Sequence, residues 1–271
     1  MTASSSSSSG KQKYYRSALD AGCGTGLAGR YLRRLVDGPL IGVDVSKNML
    51  DLAGKCTLSA GCGLDDDHED DHEDDDHDED DDVDGDKSKD EPLYDGLMPL
   101  DLETMTIEQT LRDPGVVARR RRRTEGKDDG DDGDDGGDAD DDGGIVEDAF
   151  DLIVAADVLV YFGGLERVLS NFARLSSEGS ALIFSCERTP DDDDTDDDDA
   201  SSSSGTGGGG WKLLPSGRFA HSKSYVVRVA KEAGYDRLIG YEEIVPRMEN
   251  GEEVEGHMFR FVKGGGGGGG G

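Results

Sequence analysis

An α/β fold is the expectation: a mostly parallel sheet whose last two strands form an antiparallel hairpin. Three observations lead to it. A glycine-rich turn, Gly22-Cys23-Gly24-Thr25-Gly26, sits between a short apolar segment and a run with helical apolar spacing. The strand-then-helix alternation then repeats, which requires crossover connections and hence parallel strands. Near the C-terminus, Asn250-Gly251 separates two extended segments, a strong hairpin signal.

The elements follow in order. Ser17 to Ala21 is the first strand, and Leu27, Ala28, Tyr31, Leu32, Leu35 and Val36 mark the first helix, stopped by Asp37-Gly38-Pro39. Leu40 to Val43 reads as a buried strand ending at Asp44. Ser46 caps a second helix with Met49, Leu50 and Ala53 inward. A short third strand is expected at Leu97 to Leu100, and a helix over Thr106 to Leu111. Phe150 to Ala156 is a strongly apolar strand, followed by a helix with Leu165, Val168, Leu169, Phe172 and Leu175 on one face and by a buried strand, Ala181 to Cys186. Ser222 caps a last helix carrying Tyr225, Val226, Val229, Ala230 and Ala233 and ended by Gly234. The extended segments Arg237 to Val245 and Glu253 to Val262 complete the hairpin.

Composition alone points elsewhere. The 271 residues include 62 Asp and Glu against 29 Lys and Arg, a formal net charge of −33, with 33% hydrophobic residues. Such figures suggest disorder. However, Asp65 to Asp86, Asp128 to Asp142 and Asp191 to Asp199 hold 35 of the acids and no Lys or Arg, so 27 acids face 29 bases in the remainder. That remainder is a chain of ordinary composition, large enough for one domain with a core. The expected organisation is a Ser-rich tail over 1–16, a domain over 17–263 interrupted by low-complexity insertions at about 60–90, 113–146 and 190–210, and a Gly tail over 264–271. In a parallel sheet of this kind the first two insertions hang away from the ligand face, and only the third lies on it.

The bounds exclude several classes. There is no apolar run of about 18 residues to span a membrane, and the serines Ser4 to Ser9 do not make a secretory leader. Cys23, Cys56, Cys62 and Cys186 lack metal-type spacing and read as reduced thiols, which makes the chain intracellular. No metal site is expected, since His68, His72 and His77 are irregularly spaced among acids. Arg119 to Arg123 could be a nuclear signal, a nucleic-acid contact or an internal partner for the acids. The surrounding acids disfavour nucleic acid, and the cytoplasm is expected over the nucleus. The acidic insertions would suit a basic partner.

The chemistry lies at the glycine turn. Glycines after a strand let a ligand approach the backbone and leave helix N–H groups free. A dinucleotide loop of the G-x-G-x-x-G type would need glycine at position 27, which is Leu27. Here the pattern is G-x-G-x-G with Asp20 two residues ahead, and no base follows until Arg30, which does not suit a phosphate.

This arrangement resembles the cofactor loop of class I S-adenosylmethionine-dependent methyltransferases, whose ligand is cationic and is helped by nearby carboxylates. The resemblance extends to Asp44 after the second strand, to Asp101-Leu102 after the third, and to Phe150-Asp151-Leu152-Ile153-Val154-Ala155-Ala156-Asp157-Val158-Leu159-Val160-Tyr161, which looks like the family's fourth-strand motif. It implies a Rossmann-like, seven-stranded domain that uses S-adenosyl-L-methionine. It also implies cofactor-binding roles for Asp20, Gly22, Gly24, Gly26, Asp44, Asp101, Leu102 and Asp157, with Asp44 on the ribose and Asp101 near the adenine. Leu213-Leu214-Pro215-Ser216-Gly217-Arg218-Phe219-Ala220-His221-Ser222 is similar to a segment of predicted methyltransferases often found after tetratricopeptide repeats. On this likeness Arg218 and His221 are substrate-side residues, His221 being a candidate catalytic base or a substrate contact, while Tyr161, at the end of the fourth-strand motif, is a core, rim or substrate-side residue.

The reaction expected is methyl transfer to an unidentified acceptor, small molecule or protein. The alternative is a non-catalytic interaction protein that uses its acidic insertions on a methyltransferase-like scaffold. No N-P-P-[YF] follows the fourth strand, which argues against adenine- or glutamine-type amino methylation. Family members carry helices ahead of the first strand that cover the cofactor. Here little beyond Tyr14 and Tyr15 precedes Ser17, so either that cover is missing or the chain is a fragment.

Overall fold

The computed structural model describes residues 15–58, 92–125, 149–189, 210–249 and 251–265. The serine tail through residue 14, the three acidic runs with their histidines, Cys62 and the end of the glycine tail lie outside the described residues.

The parallel strands are β1 (Ala18–Ala21), β2 (Leu40–Val43), β3 (Gly96–Met98), β4 (Phe150–Ala155) and β5 (Ser176–Arg188), ordered β3-β2-β1-β4-β5. Two long strands close the other side of β5. β9 (Glu252–Val262) pairs antiparallel with β5 from Ala181↔Val262 to Glu187↔Gly256, and β8 (Arg237–Glu249) lies outside β9. Gly251 takes the left-handed φ of 86° that the hairpin turn between Glu249 and Glu252 demands.

Alternation along the strands divides the core. Leu19, Ile41, Val43, Ile153 and Phe184 face α4 (Glu166–Leu175) and α5 (Lys223–Ala233), with Val116 of α3 (Pro114–Glu125) in the same cluster. Ala18, Leu40 and Leu152 face α1 (Gly29–Leu32) and α2 (Lys47–Ala53). Ser222 caps α5 by accepting from the Tyr225 N–H, and Gly234 ends that helix at φ 105°. Ser46 caps α2 by accepting from the Met49 N–H.

Several expectations need correction. Among the described residues the sheet has nine strands, because β6 (Trp211–Leu213) and β7 (Phe219–His221) form a ribbon on β5 in addition to the seven foreseen. Helix α1 has only four residues, and Leu27, Tyr31 and Leu35 face outward. Instead Arg33 turns inward and ion-pairs with Asp95 at 2.8 Å, donating also to Val36 O and Gly38 O. Leu32 and Val36 remain the buried apolar residues of this segment. Met49 is exposed, and α2 buries Leu50 and Ala53. Thr106 to Leu111 forms turns, in which the Thr110 hydroxyl donates to Thr106 O. The second insertion, expected from about 113, opens with helix α3. Just ahead of residue 17, Tyr15 bridges to Val36 and Arg16 ion-pairs with Asp151. The flanks of the first insertion meet, Thr57 bridging to Pro92.

No helix of the described residues is long and apolar enough to cross a membrane.

Candidate functional site

Strand order reverses between β1 and β4. In a sheet of this kind the crevice at the carboxyl ends of the two strands flanking the reversal is where ligands bind. The loop after β1 and the turn after β4 therefore define the site, and they touch: a Cβ on Gly22 would stand 2.4 Å from Val158 Cγ2. Gly22 is thus required both by its φ of 73° and by the close approach of the β4 turn. Gly24, at φ 52°, differs, because a Cβ there would meet nothing within 4 Å. Its bare backbone faces open space, a cradle able to admit a ligand against the main chain.

Asp44 anchors this cradle. Its Oδ2 accepts from the Gly24 N–H at 3.0 Å and its Oδ1 from the Ser46 N–H at 2.8 Å. One carboxylate thereby joins the glycine loop to the start of α2. Each oxygen retains acceptor capacity for a hydroxyl, so the residues present fit a ribose-bearing ligand. The Cys56 thiol donates to Thr25 O at 3.3 Å and pins the loop from below. Cys23 is buried, and that burial raises its pKa far above the ordinary thiol range.

Asp20 lies behind the loop, 1% exposed, and accepts from the Tyr94 hydroxyl at 2.7 Å. Burial pushes its carboxyl up to about 6, the Tyr94 hydrogen bond opposing and the Asp44 charge assisting. Because the folded value exceeds the unfolded 3.8, Asp20 contributes stability that is fully present below pH 3.8 and lost as pH rises through about 6. Asp20→Asn is therefore expected to gain stability over the parent as pH rises from 4 to 6, reaching at most about 3 kcal/mol and levelling above that. Urea melts of both proteins across this range check it, and a pH-independent difference would refute it.

After β3, Asp101 is exposed and its Oδ1 accepts from the Glu103 N–H at 2.7 Å. The Leu102 side chain is in the core, so it can line a ligand pocket only with its backbone. Buried Asn171, which sequence reasoning missed, donates to Leu102 O and Met105 O and fixes this turn.

At the end of β4, Asp157 is the one non-glycine residue at positive φ among those described, at 52°. Its N–H donates to Ser185 Oγ at 2.9 Å, and its carboxylate is 54% exposed. Tyr161 follows on a short 3₁₀ turn, 59% exposed. Arg218, on the β6–β7 connection, reaches both: its guanidinium lies 5.6 Å from the Tyr161 ring centroid, with Nη1 3.6 Å from Asp157 Oδ1. The cofactor-side candidate Asp157 and the substrate-side candidates Tyr161 and Arg218 thus converge.

His221 does not join them. It is fully buried, its ring stacked on Tyr225, and its Nε2 lies 3.0 Å from both Phe162 O and Gly163 O. Two carbonyl partners require the proton on Nε2, and burial lowers the imidazole pKa. The side chain therefore tethers the segment after Tyr161 from inside and presents no base at the exposed face. The ribbon that delivers it is built from two three-residue strands flanking the turn residues Pro215-Ser216-Gly217, which the sequence reading took only as a motif.

Comparison with known proteins agrees with this geometry. A family model described as methyltransferase domain matches residues 6–236. Among solved structures, the N-methyltransferase NodS from Bradyrhizobium japonicum superposes with a TM-score of 0.50 at 13% identity, covering 93% of this chain and 88% of that one. A S-adenosylmethionine-dependent methyltransferase from Methanosarcina mazei gives 0.51 at 12% identity, covering 93% of each. The [4+2]-cyclase SpnF gives 0.50 at 12% identity, covering 93% of this chain and 76% of that one. No curated protein sequence matches the chain. These likenesses establish the fold, and the family match over most of the length establishes more: the chain belongs to the methyltransferase domain family, enzymes that use S-adenosylmethionine.

Proposed function

We propose that this chain transfers a methyl group to an acceptor, small molecule or protein, that approaches between Asp157, Tyr161 and Arg218. The observation that carries the reading is Asp44 held by the Gly24 and Ser46 amides beside the open face of Gly24. In this reading Asp44 takes the ribose hydroxyls, the Gly22–Gly26 backbone takes the amino-acid end, and the Asp101–Leu102 turn borders the base. Asp20 adds a negative field behind the loop toward a cationic ligand.

When bound, S-adenosylmethionine supplies a methyl group on a sulfonium, open to in-line displacement. The chain's own contribution is placement and exclusion of water, and a general base is not required. With His221 turned inward, the Asp157 carboxylate is the acidic side chain that faces the acceptor's path. The likeness of Leu213–Ser222 to methyltransferases that follow tetratricopeptide repeats supports assigning this segment to the acceptor side, and the acidic runs suit a basic partner.

Calorimetric titration with S-adenosylmethionine, followed by a S-adenosylhomocysteine release assay over a panel of acceptors, tests the proposal. Saturable binding is expected, with turnover on at least one acceptor class. Absence of binding would leave only the scaffold reading.

A further inference from the structure

We propose that Glu187 is a positioning residue: acting through Arg218, it straps the β6–β7 ribbon over the acceptor side of the site. This rests on the reading of Asp157, Tyr161 and Arg218 given above.

The ribbon is weakly held by its backbone. β6 pairs only with β7 among the described residues, and β7 meets β5 at two register positions, Glu187↔Ala220 and Arg188↔His221. β9 occupies one edge of β5 through Glu187, and β4 occupies the other only through Phe184. β7 therefore continues on the β4 side, past the end of β4, where the site lies. Strands of three residues on so short a ladder are marginal alone.

Glu187 supplies an attachment in addition to the ladder and the His221 tether. Its side chain is 1% exposed at the carboxyl end of β5. A carboxylate so placed must be paired. Its Oε1 accepts from Arg247 of β8, and Arg218 Nη1 lies 3.6 Å from the same oxygen. One anion thus sits between two guanidiniums from elements that are not adjacent in sequence, tying ribbon and hairpin to the central sheet. Glu187 Oε2 and Arg218 Nη1 are buried without a hydrogen bond among the described residues. The link between Glu187 and Arg218 is therefore one of charge rather than of a fixed bond. Neutralising Glu187 leaves Arg218 and Arg247 facing each other without their shared anion.

The chain has a single tryptophan, Trp211, and it is in this ribbon. Its indole is edge-on to Phe219 at 5.3 Å and lies against Gly163, where a Cβ would meet the indole at 3.0 Å. Its fluorescence therefore reports whether the ribbon is seated.

The test uses the full chain as wild type, Glu187→Gln, Arg218→Gln and the double variant, each verified as folded by circular dichroism. Acrylamide quenching of Trp211 is expected to rise about twofold in each single variant and no further in the double, the non-additivity of residues acting as a unit. S-adenosylmethionine affinity of Glu187→Gln should stay within about twofold, because Glu187 pairs with Arg247 and Arg218 and not with Asp44 or the glycine loop. Wild-type quenching in both single variants, or effects that add, would overturn the proposal. If Glu187→Gln does not fold, Arg218→Gln decides, and unchanged quenching there overturns it. A general loss of stability would lower the melting temperature without raising native-state quenching. Failure of the wild type to bind S-adenosylmethionine would count against the donor site and leave the quenching result readable.

Discussion

Replacing Asp44 by alanine is expected to weaken S-adenosylmethionine binding about a hundredfold or more. The variant loses two things together. A carboxylate hydrogen bond to a ligand hydroxyl is worth about 1.5–3 kcal/mol, and two such bonds correspond to a factor of at least about a hundred. The anchoring of the cradle also goes, since Gly24 and Ser46 donate to this one side chain. Asp44→Asn separates the contributions. It keeps one acceptor oxygen for a backbone amide and can still bind a hydroxyl, so a smaller loss is expected. Titration calorimetry with unfolding melts as a control reads both. An Asp44→Ala protein that folds and binds like wild type would remove the main support for the donor site.

Replacing Arg33 by methionine is expected to cost about 3–5 kcal/mol, the scale for breaking a buried ion pair from one side. Arg33 and Asp95 side chains are only 7% and 9% exposed. Without the guanidinium, the Asp95 carboxylate stays buried with its bond from the Leu40 N–H, and Val36 O and Gly38 O lose a donor. The melting temperature should fall by roughly 6–20 °C for a domain of this size. The double variant Arg33→Met, Asp95→Leu should recover part of the loss, because an apolar pair of similar volume carries no stranded charge. Thermal melts at one pH compare the three. A single variant as stable as wild type would show that the pair is not what orders the α1 region.

These residues also show what could be read ahead of the structure. The glycine loop and Asp44 were legible because each depends on a short stretch of chain: a strand, a φ that only glycine tolerates well, and an acid at a strand end. Helix α5 was legible for the same reason, its cap and its terminator lying within twelve residues of each other. The outward face of α1 was not. Leu27, Tyr31 and Leu35 satisfy helical spacing yet are exposed, while Arg33 beside them pairs with Asp95, 62 residues away. His221 failed similarly. A histidine before a capped helix looks like a site residue until Phe162 O and Gly163 O are seen to claim it. Arg218 was named from a motif, and its meeting with Asp157 and Glu187 depends on how the ribbon crosses the end of β4, which no local pattern encodes. Glu187 had no signal of its own, as one acid near many.

The Thr57–Pro92 bridge has a consequence for how this gene can change. Both margins of the first acidic segment are clamped side by side at about the width of one strand pair. Whatever is spliced between them has to satisfy one condition, that it leave and return at adjacent points. A stretch of any length that meets this condition preserves the Thr57–Pro92 pairing, which makes the position a graft point for a reporter domain at the bench.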